Sequence, residues 1–261
     1  MMKLRTLTLF IALTTSLLLL AQHNDYAPQV YQSKSKDTLL YRELTPLTIE
    51  EGKEYPLVLF LHGAGERGDD NIAQLKHGAA MFTNPVNREE YPSFVIIPQC
   101  PADYYWPTIQ RPLDMHVDNP FPLDPEMSMP LALTKELLDK VIDEYPIDKN
   151  RIYIIGLSMG GMGTFEMTIR YPDLFAAAVP ICGGVNTERF NGYESQTAFR
   201  IFHGDADVVV PVQLSRDAYT KLKEEHINVE YIEFPGVNHD SWNPAFNLPD
   251  FMEWLFNQTK L

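Results

Sequence analysis

A chain of 261 residues with a formal charge of −14 presents an acidic surface that repels nucleic-acid phosphates and anionic lipid headgroups, so neither is expected as a partner. Hydrophobic residues make up 45% of it. That is enough for a sizeable core, and the length suits one α/β domain over residues 22–261 behind a short leader.

The leader is residues 1–21. Lys3 and Arg5 precede an apolar run from Leu7 to Leu20, broken only by Thr and Ser, and the segment ends at Ala21. This is the pattern of a secretory signal peptide. The run is shorter than the ~20 residues of a membrane span, and polar Gln22, His23, Asn24 and Asp25 follow it at once. A secreted or periplasmic protein is expected, with no stable membrane insertion after the leader is removed.

Residues 29–32 and 38–44, separated by a polar stretch from Ser33 to Asp37, predict an antiparallel hairpin. Residues 57–61 form an uninterrupted apolar strand, and Asp69, Asp70 and Asn71 offer capping oxygens for a helix over 72–77. Strands at 94–98, 151–155, 176–180, 199–202 and 229–234 then alternate with helices at 129–145, 161–170, 214–226 and 249–258. In the first of these helices Leu133, Leu137, Leu138, Val141 and Ile142 share one face. The alternation predicts an α/β fold, a mostly parallel central sheet covered by helices on both faces with an antiparallel hairpin at its N-terminal edge.

One irregular segment stands apart, residues 101–130, which holds seven prolines together with Tyr104, Tyr105, Trp106 and Phe121. Loops of this length inside a compact domain are uncommon unless they work as lids or binding surfaces. This one leaves the carboxyl end of a strand, where ligands bind in open α/β sheets. It is read as a roof over the site, with Trp106 as a substrate-binding candidate.

Gly156-Leu157-Ser158-Met159-Gly160 lies between the strand at 151–155 and the helix at 161–170. That context makes a G-x-S-x-G match a nucleophile elbow, a sharp turn that presents the serine hydroxyl at the edge of the sheet. Two further strands end beside candidate partners, one at His203-Gly204-Asp205-Ala206-Asp207 and the other at Pro235-Gly236-Val237-Asn238-His239. A serine hydroxyl needs a base to take its proton, and the base needs a carboxylate to fix its tautomer. Ser158, Asp207 and His239 supply the three in the chain order of α/β-hydrolases. Asp205 is the alternative acid. Trp242, three residues after His239, is a second candidate for contact with substrate.

These motifs, with the run from Leu59 to Gly68, Tyr171-Pro172-Asp173-Leu174-Phe175 and the run from His203 to Pro211, give a chain that resembles α/β-hydrolases of the serine esterase and predicted-peptidase group, related to the carboxylesterase/phospholipase and dienelactone-hydrolase-like families. Dienelactone hydrolases use a cysteine nucleophile, so Ser158 sets that chemistry aside. The resemblance implies an α/β-hydrolase fold with an oxyanion hole made by the N–H of Met159 and that of Ala64, with Gly65 as the alternative to Ala64. It also implies that two strands separate those preceding Cys100 and Cys182. Three spacings of ~4.8 Å then keep the two thiols unpaired, since a disulfide needs Cα atoms within ~7 Å.

No H-E-x-x-H, C-x-x-C or phosphate-binding glycine motif is present, and His116 between Asp114 and Asp118 is too loose a set for a metal. No metal and no cofactor is expected. His62 and His203, beside glycines at strand ends, read as structural. The expected substrate is an ester of a small or aromatic acid, carried on a small molecule or a carbohydrate. A peptidase of prolyl-oligopeptidase type and a phospholipase stand as alternatives, and the complete triad disfavours a binding protein without activity.

Overall fold

The computed structural model describes residues 25–109 and 120–261. Eight strands form one sheet, β1 (Ala27–Gln32), β2 (Thr38–Leu44), β3 (Tyr55–Leu61), β4 (Phe94–Pro98), β5 (Ile147–Leu157), β6 (Ala177–Ile181), β7 (Ala198–Gly204) and β8 (Val229–Phe234). Their spatial order is β1-β2-β4-β3-β5-β6-β7-β8. The β1–β2 and β2–β4 pairs are antiparallel, and every pair from β4 to β8 is parallel. This is the mostly parallel sheet with an antiparallel N-terminal hairpin that the alternation predicts.

Every residue of β3, β4, β6 and β7 is buried, because helices cover both faces. Side chains alternate across a strand, so β3 feeds two separate cores. Leu57, Leu59 and Leu61 enter one, with residues of the helices α3 (Met129–Glu144), α4 (Met159–Arg170) and α5 (Gln213–Glu224). Val58 and Phe60 enter the other, beneath α1 (Ala79–Thr83), α6 (Trp242–Phe246) and α7 (Phe251–Phe256). The remaining helix, α2 (Pro85–Glu90), follows α1 directly. No helix among the described residues is long and apolar enough to cross a membrane.

Local chemistry explains where the elements depart from expectation. The helix over 72–77 is a single 3-10 turn at Ala73–Leu75, capped by Asp70 Oδ1 on the N–H groups of Ile72 and Ala73. Gly78, the residue before α1, has φ +78 and is packed so tightly that a Cβ there would lie 2.6 Å from the Phe60 ring. Three short helices, α1, α2 and α6, were not legible as periodic segments. The second starts from Asn84, whose side chain accepts from the N–H groups of Val86 and Asn87, with Pro85 in the first turn. Strand β5 is longer than the apolar run at 151–155 because its polar start pairs Ile147 with Tyr55, across an irregularity in register.

Cys100 and Cys182 are buried and form no disulfide. They follow β4 and β6, with β3 and β5 between, as the strand-order argument requires. The leader (1–21) and the middle of the roof, with Arg111, Asp114, His116 and Asp118, lie outside the described residues.

Candidate active site

Ser158 sits between the end of β5 and the start of α4 with φ +53 and ψ −117, a backbone state that costs a side-chain-bearing residue about 1–3 kcal/mol. Its flanking glycines are a steric necessity. A Cβ on Gly156 would lie 2.1 Å from the Gly160 carbonyl oxygen, and one on Gly160 would lie 1.9 Å from that of Leu61. The same close approach seats the first turn of α4 against the loop that leaves β3.

Asp207 follows β7 and His239 follows β8, so the three side chains meet at the carboxyl ends of parallel strands. Ser158 Oγ is 2.8 Å from His239 Nε2, and His239 Nδ1 is 2.7 Å from Asp207 Oδ2. Asp205 is elsewhere, its Oδ1 accepting from the Gly236 N–H at 2.6 Å. The Asp207 side chain has no exposed surface. Burial by itself raises its pKa, but hydrogen bonds from His203, from His239 and from the N–H groups of Val210 and Val209 outweigh it and hold the carboxyl well below the usual carboxylate range.

His203, read from sequence as structural, therefore braces the acid. Its Nε2 lies 3.2 Å from Asp207 Oδ2 and 3.0 Å from the Val210 carbonyl oxygen. Two acceptors around one ring nitrogen require a proton there. Its Nδ1 is 2.7 Å from Ser215 Oγ. The signal was present in the sequence as a histidine four residues before the acid, but the spacing alone does not reveal a shared oxygen.

Met159 is the first residue of α4, so its N–H has no intrahelical partner and lies at the positive end of the helix dipole. Ala64 opens the 3-10 turn Ala64–Glu66 on the adjoining loop. That loop is braced from both sides. His62 donates through Nδ1 to the Gly63 carbonyl oxygen and accepts the Cys100 N–H through Nε2, and burial lowers its pKa to about 4. Arg67 donates to the carbonyl oxygens of Ala64, Ala102 and Tyr104, and its guanidinium lies 4.5 Å from the centre of the Tyr105 ring.

Trp106 corrects the sequence reading. It is fully buried, its Nε1 donates to the His62 carbonyl oxygen at 3.0 Å, and its ring meets the His62 ring at 5.2 Å. A Cβ on Gly163 would lie 2.8 Å from Trp106 Cβ. An indole whose one donor is satisfied is most stable where its whole surface leaves water, so Trp106 anchors the foot of the roof and has no surface for substrate. The opposite foot carries Phe121, which packs with Met162 of α4 and Val210 of the acid loop, with Ile109 and Leu214 alongside.

Trp242 lies beside the triad. Its ring meets His239 edge-on at 5.7 Å and, at 5.2 Å, also meets His77, whose Nε2 is 3.5 Å from the buried Glu66 carboxylate. The indole Nε1 is buried without a hydrogen-bond partner among the described residues. Beneath the triad, donor atoms of Cys182, Asp207 and His239 lie within 4.8 Å of one another. Burial pushes the Cys182 thiol up to about 12, so the sulfur keeps its proton. A separate cleft of about 330 Å³ by Tyr91, Arg151 and Phe256 opens at the amino ends of the strands, away from Ser158.

A nucleophile elbow, a histidine and a carboxylate thus meet at these strand ends, on an α/β-hydrolase fold. The chain belongs to the phospholipase/carboxylesterase family, whose profile matches residues 47–252. It is similar to a thermostable esterase of known crystal structure, with 37% identity and a TM-score of 0.82, covering 92% of this chain and 64% of that one. Lysophospholipase-like protein 1 of Mus musculus is 25% identical over 201 residues, 72% of this chain and 82% of its own. A bifunctional acetylxylan esterase/xylanase of Neocallimastix patriciarum is 37% identical over 68 residues, 26% of this chain and 10% of that protein. The chain thus spans less than two thirds of the thermostable esterase and of the xylanase.

Proposed function

We propose that this protein is an exported serine carboxylesterase working through an acyl-enzyme. The observation that carries the reading is the hydrogen-bonded line from Ser158 Oγ through His239 to Asp207, at 2.8 and 2.7 Å. Ser158 Oγ attacks the ester carbonyl carbon while His239 Nε2 takes the hydroxyl proton, and Asp207 stabilises the imidazolium that forms. The N–H groups of Met159 and Ala64 receive the oxyanion. Collapse of the tetrahedral intermediate expels the alcohol oxygen, which takes the proton back from His239 Nε2. Water, deprotonated by the same nitrogen, then attacks the acyl carbon, and Ser158 Oγ leaves with the proton from His239 Nε2 as the acid is released.

The substrate is an ester of a small or aromatic acid on a carbohydrate or other small alcohol. The acidic surface disfavours anionic lipid, and one relative carries acetylxylan esterase in its name. A fluorophosphonate tests the chemistry directly. Mass spectrometry should find the adduct on the peptide that holds Ser158, with turnover of p-nitrophenyl acetate lost in parallel. An adduct on another serine overturns the assignment.

A further inference from the structure

A cleft of about 420 Å³ runs between the α1–α2 segment and α6, within the range of about 300–1,000 Å³ found for ligand pockets. Four asparagines line it, Asn84, Asn87, Asn243 and Asn247, together with Phe246 and Met81, and no lining residue is charged. In a chain of net charge −14, a neutral wall of amides is a chemical choice.

Each amide is tied down at one end. Asn84 Oδ1 accepts from the N–H groups of Val86 and Asn87, while Asn87 Nδ2 donates to the Met81 carbonyl oxygen at 2.8 Å. Asn247 Nδ2 donates to the Asn243 carbonyl oxygen at 2.7 Å, and Asn243 Nδ2 to Asp240 Oδ2 at 3.4 Å. Among the described residues the other ends have no partner. These are three acceptors, the Oδ1 atoms of Asn87, Asn243 and Asn247, and the donor Asn84 Nδ2, while the Nδ2 of each of the other three amides keeps its second N–H. An anion would meet carbonyl oxygens beside these N–H groups and no positive charge. Hydroxyl groups donate and accept, so a polyhydroxylated chain matches the wall, and Phe246 with Met81 offers apolar surface to the C–H faces of its rings.

The cleft is also placed for the reaction. Asn243 follows Trp242, whose ring meets His239, and the cleft lining continues to Gly78, which follows His77 on the other side of that ring. His239 returns its proton to the leaving alcohol, so the alcohol part of an ester lies on the side of His239. We propose that the Asn84–Asn87–Asn243–Asn247 cleft is a subsite for an uncharged carbohydrate chain, the alcohol part of the substrate. Its assignment to that part rests on the esterase reading above.

Two measurements test it. Xylohexaose and cellohexaose, which carry no ester, are titrated into the Ser158→Ala protein, and the side-chain amide resonances of the four asparagines should shift while those remote from the cleft stay in place. In the otherwise native enzyme, Asn243→Ala combined with Asn247→Ala should lower kcat/KM for acetylated xylo-oligosaccharide, relative to p-nitrophenyl acetate, by fivefold or more. Resonances that ignore both sugars, that move instead with a neutral hexapeptide, or an unchanged ratio of the two kcat/KM values would each overturn the subsite. If the native enzyme failed to cleave p-nitrophenyl acetate, the esterase reading would fall, and the titration would still decide whether the cleft binds sugar.

Discussion

His203 and His239 approach the same carboxylate oxygen from two directions, Asp207 Oδ2 being 3.2 Å from His203 Nε2 and 2.7 Å from His239 Nδ1. In the proposed mechanism one histidine takes part in the reaction and the other holds the acid in place for it. Removing a hydrogen bond to a charged group costs about 1.5–3 kcal/mol. His203→Phe, which keeps the ring's bulk and loses the donor, should therefore lower kcat by roughly 10- to 100-fold with KM little changed. Steady-state kinetics on p-nitrophenyl acetate reads both constants. A fall confined to KM would show that His203 acts on binding and not on the acid.

The two neighbouring carboxylates separate by function. Asp207→Asn should lower kcat by on the order of 10⁴-fold, because an amide there permits the wrong tautomer of His239. Asp205→Asn should cost far less, since Asp205 bonds the Gly236 N–H and not the histidine. The reverse ranking would move the acid to Asp205.

Ser158→Ala and Ser158→Gly both delete the hydroxyl, and each should reduce kcat by on the order of 10⁴-fold or more. They should differ in stability. At φ +53 and ψ −117 a Cβ is strained, so the glycine variant should melt at or above the temperature of the alanine variant despite its greater unfolded-state entropy. Calorimetry on the two proteins decides, and a lower Tm for glycine would mean that the elbow stores no strain.

Two buried groups of the site bear on the acid stability of the fold. His62 titrates at about 4 when folded because burial disfavours its charged form, against ~6.5 unfolded. Between those values the unfolded chain binds the extra proton, so stability falls as the pH drops from 6.5 to 4, by on the order of 3 kcal/mol. The Asp207 carboxyl is depressed, so its contribution is present above the unfolded value of ~3.9 and is lost below it. Urea midpoints from pH 7 to 3 should decline in two stages. His62→Gln, able to keep both of the ring's hydrogen bonds, should flatten the first stage only.

Trp106→Ala should destabilise the protein by about 3–5 kcal/mol, the usual cost of emptying a buried aromatic site. Because the ring has no exposed surface, whatever activity is lost should fall equally on acetyl and aryl esters. A selective loss on aryl esters would restore it to substrate recognition.

The sequence by itself determined the sheet, the turn that carries Ser158 and the strand ends beside Asp207 and His239. These rest on local physics: apolar runs with the period of strands and helices, glycines where backbones touch, and polar residues at strand ends. The hairpin, β8 (Val229–Phe234) and α3 (Met129–Glu144) were legible to within a residue or two for that reason. The tertiary structure alone decided which carboxylate reaches His239, that His203 shares its oxygen, and that Trp106 turns inward while Trp242 packs on the histidine. A one-dimensional pattern records that an aromatic ring or an acid is present near a turn. The direction in which it points depends on the space left by partners far along the chain, such as the His62 carbonyl oxygen, 44 residues away, that takes the Trp106 N–H. The asparagine cleft is a further case, since its two walls, at 78–87 and 243–247, meet only because both pack on the same face of the sheet.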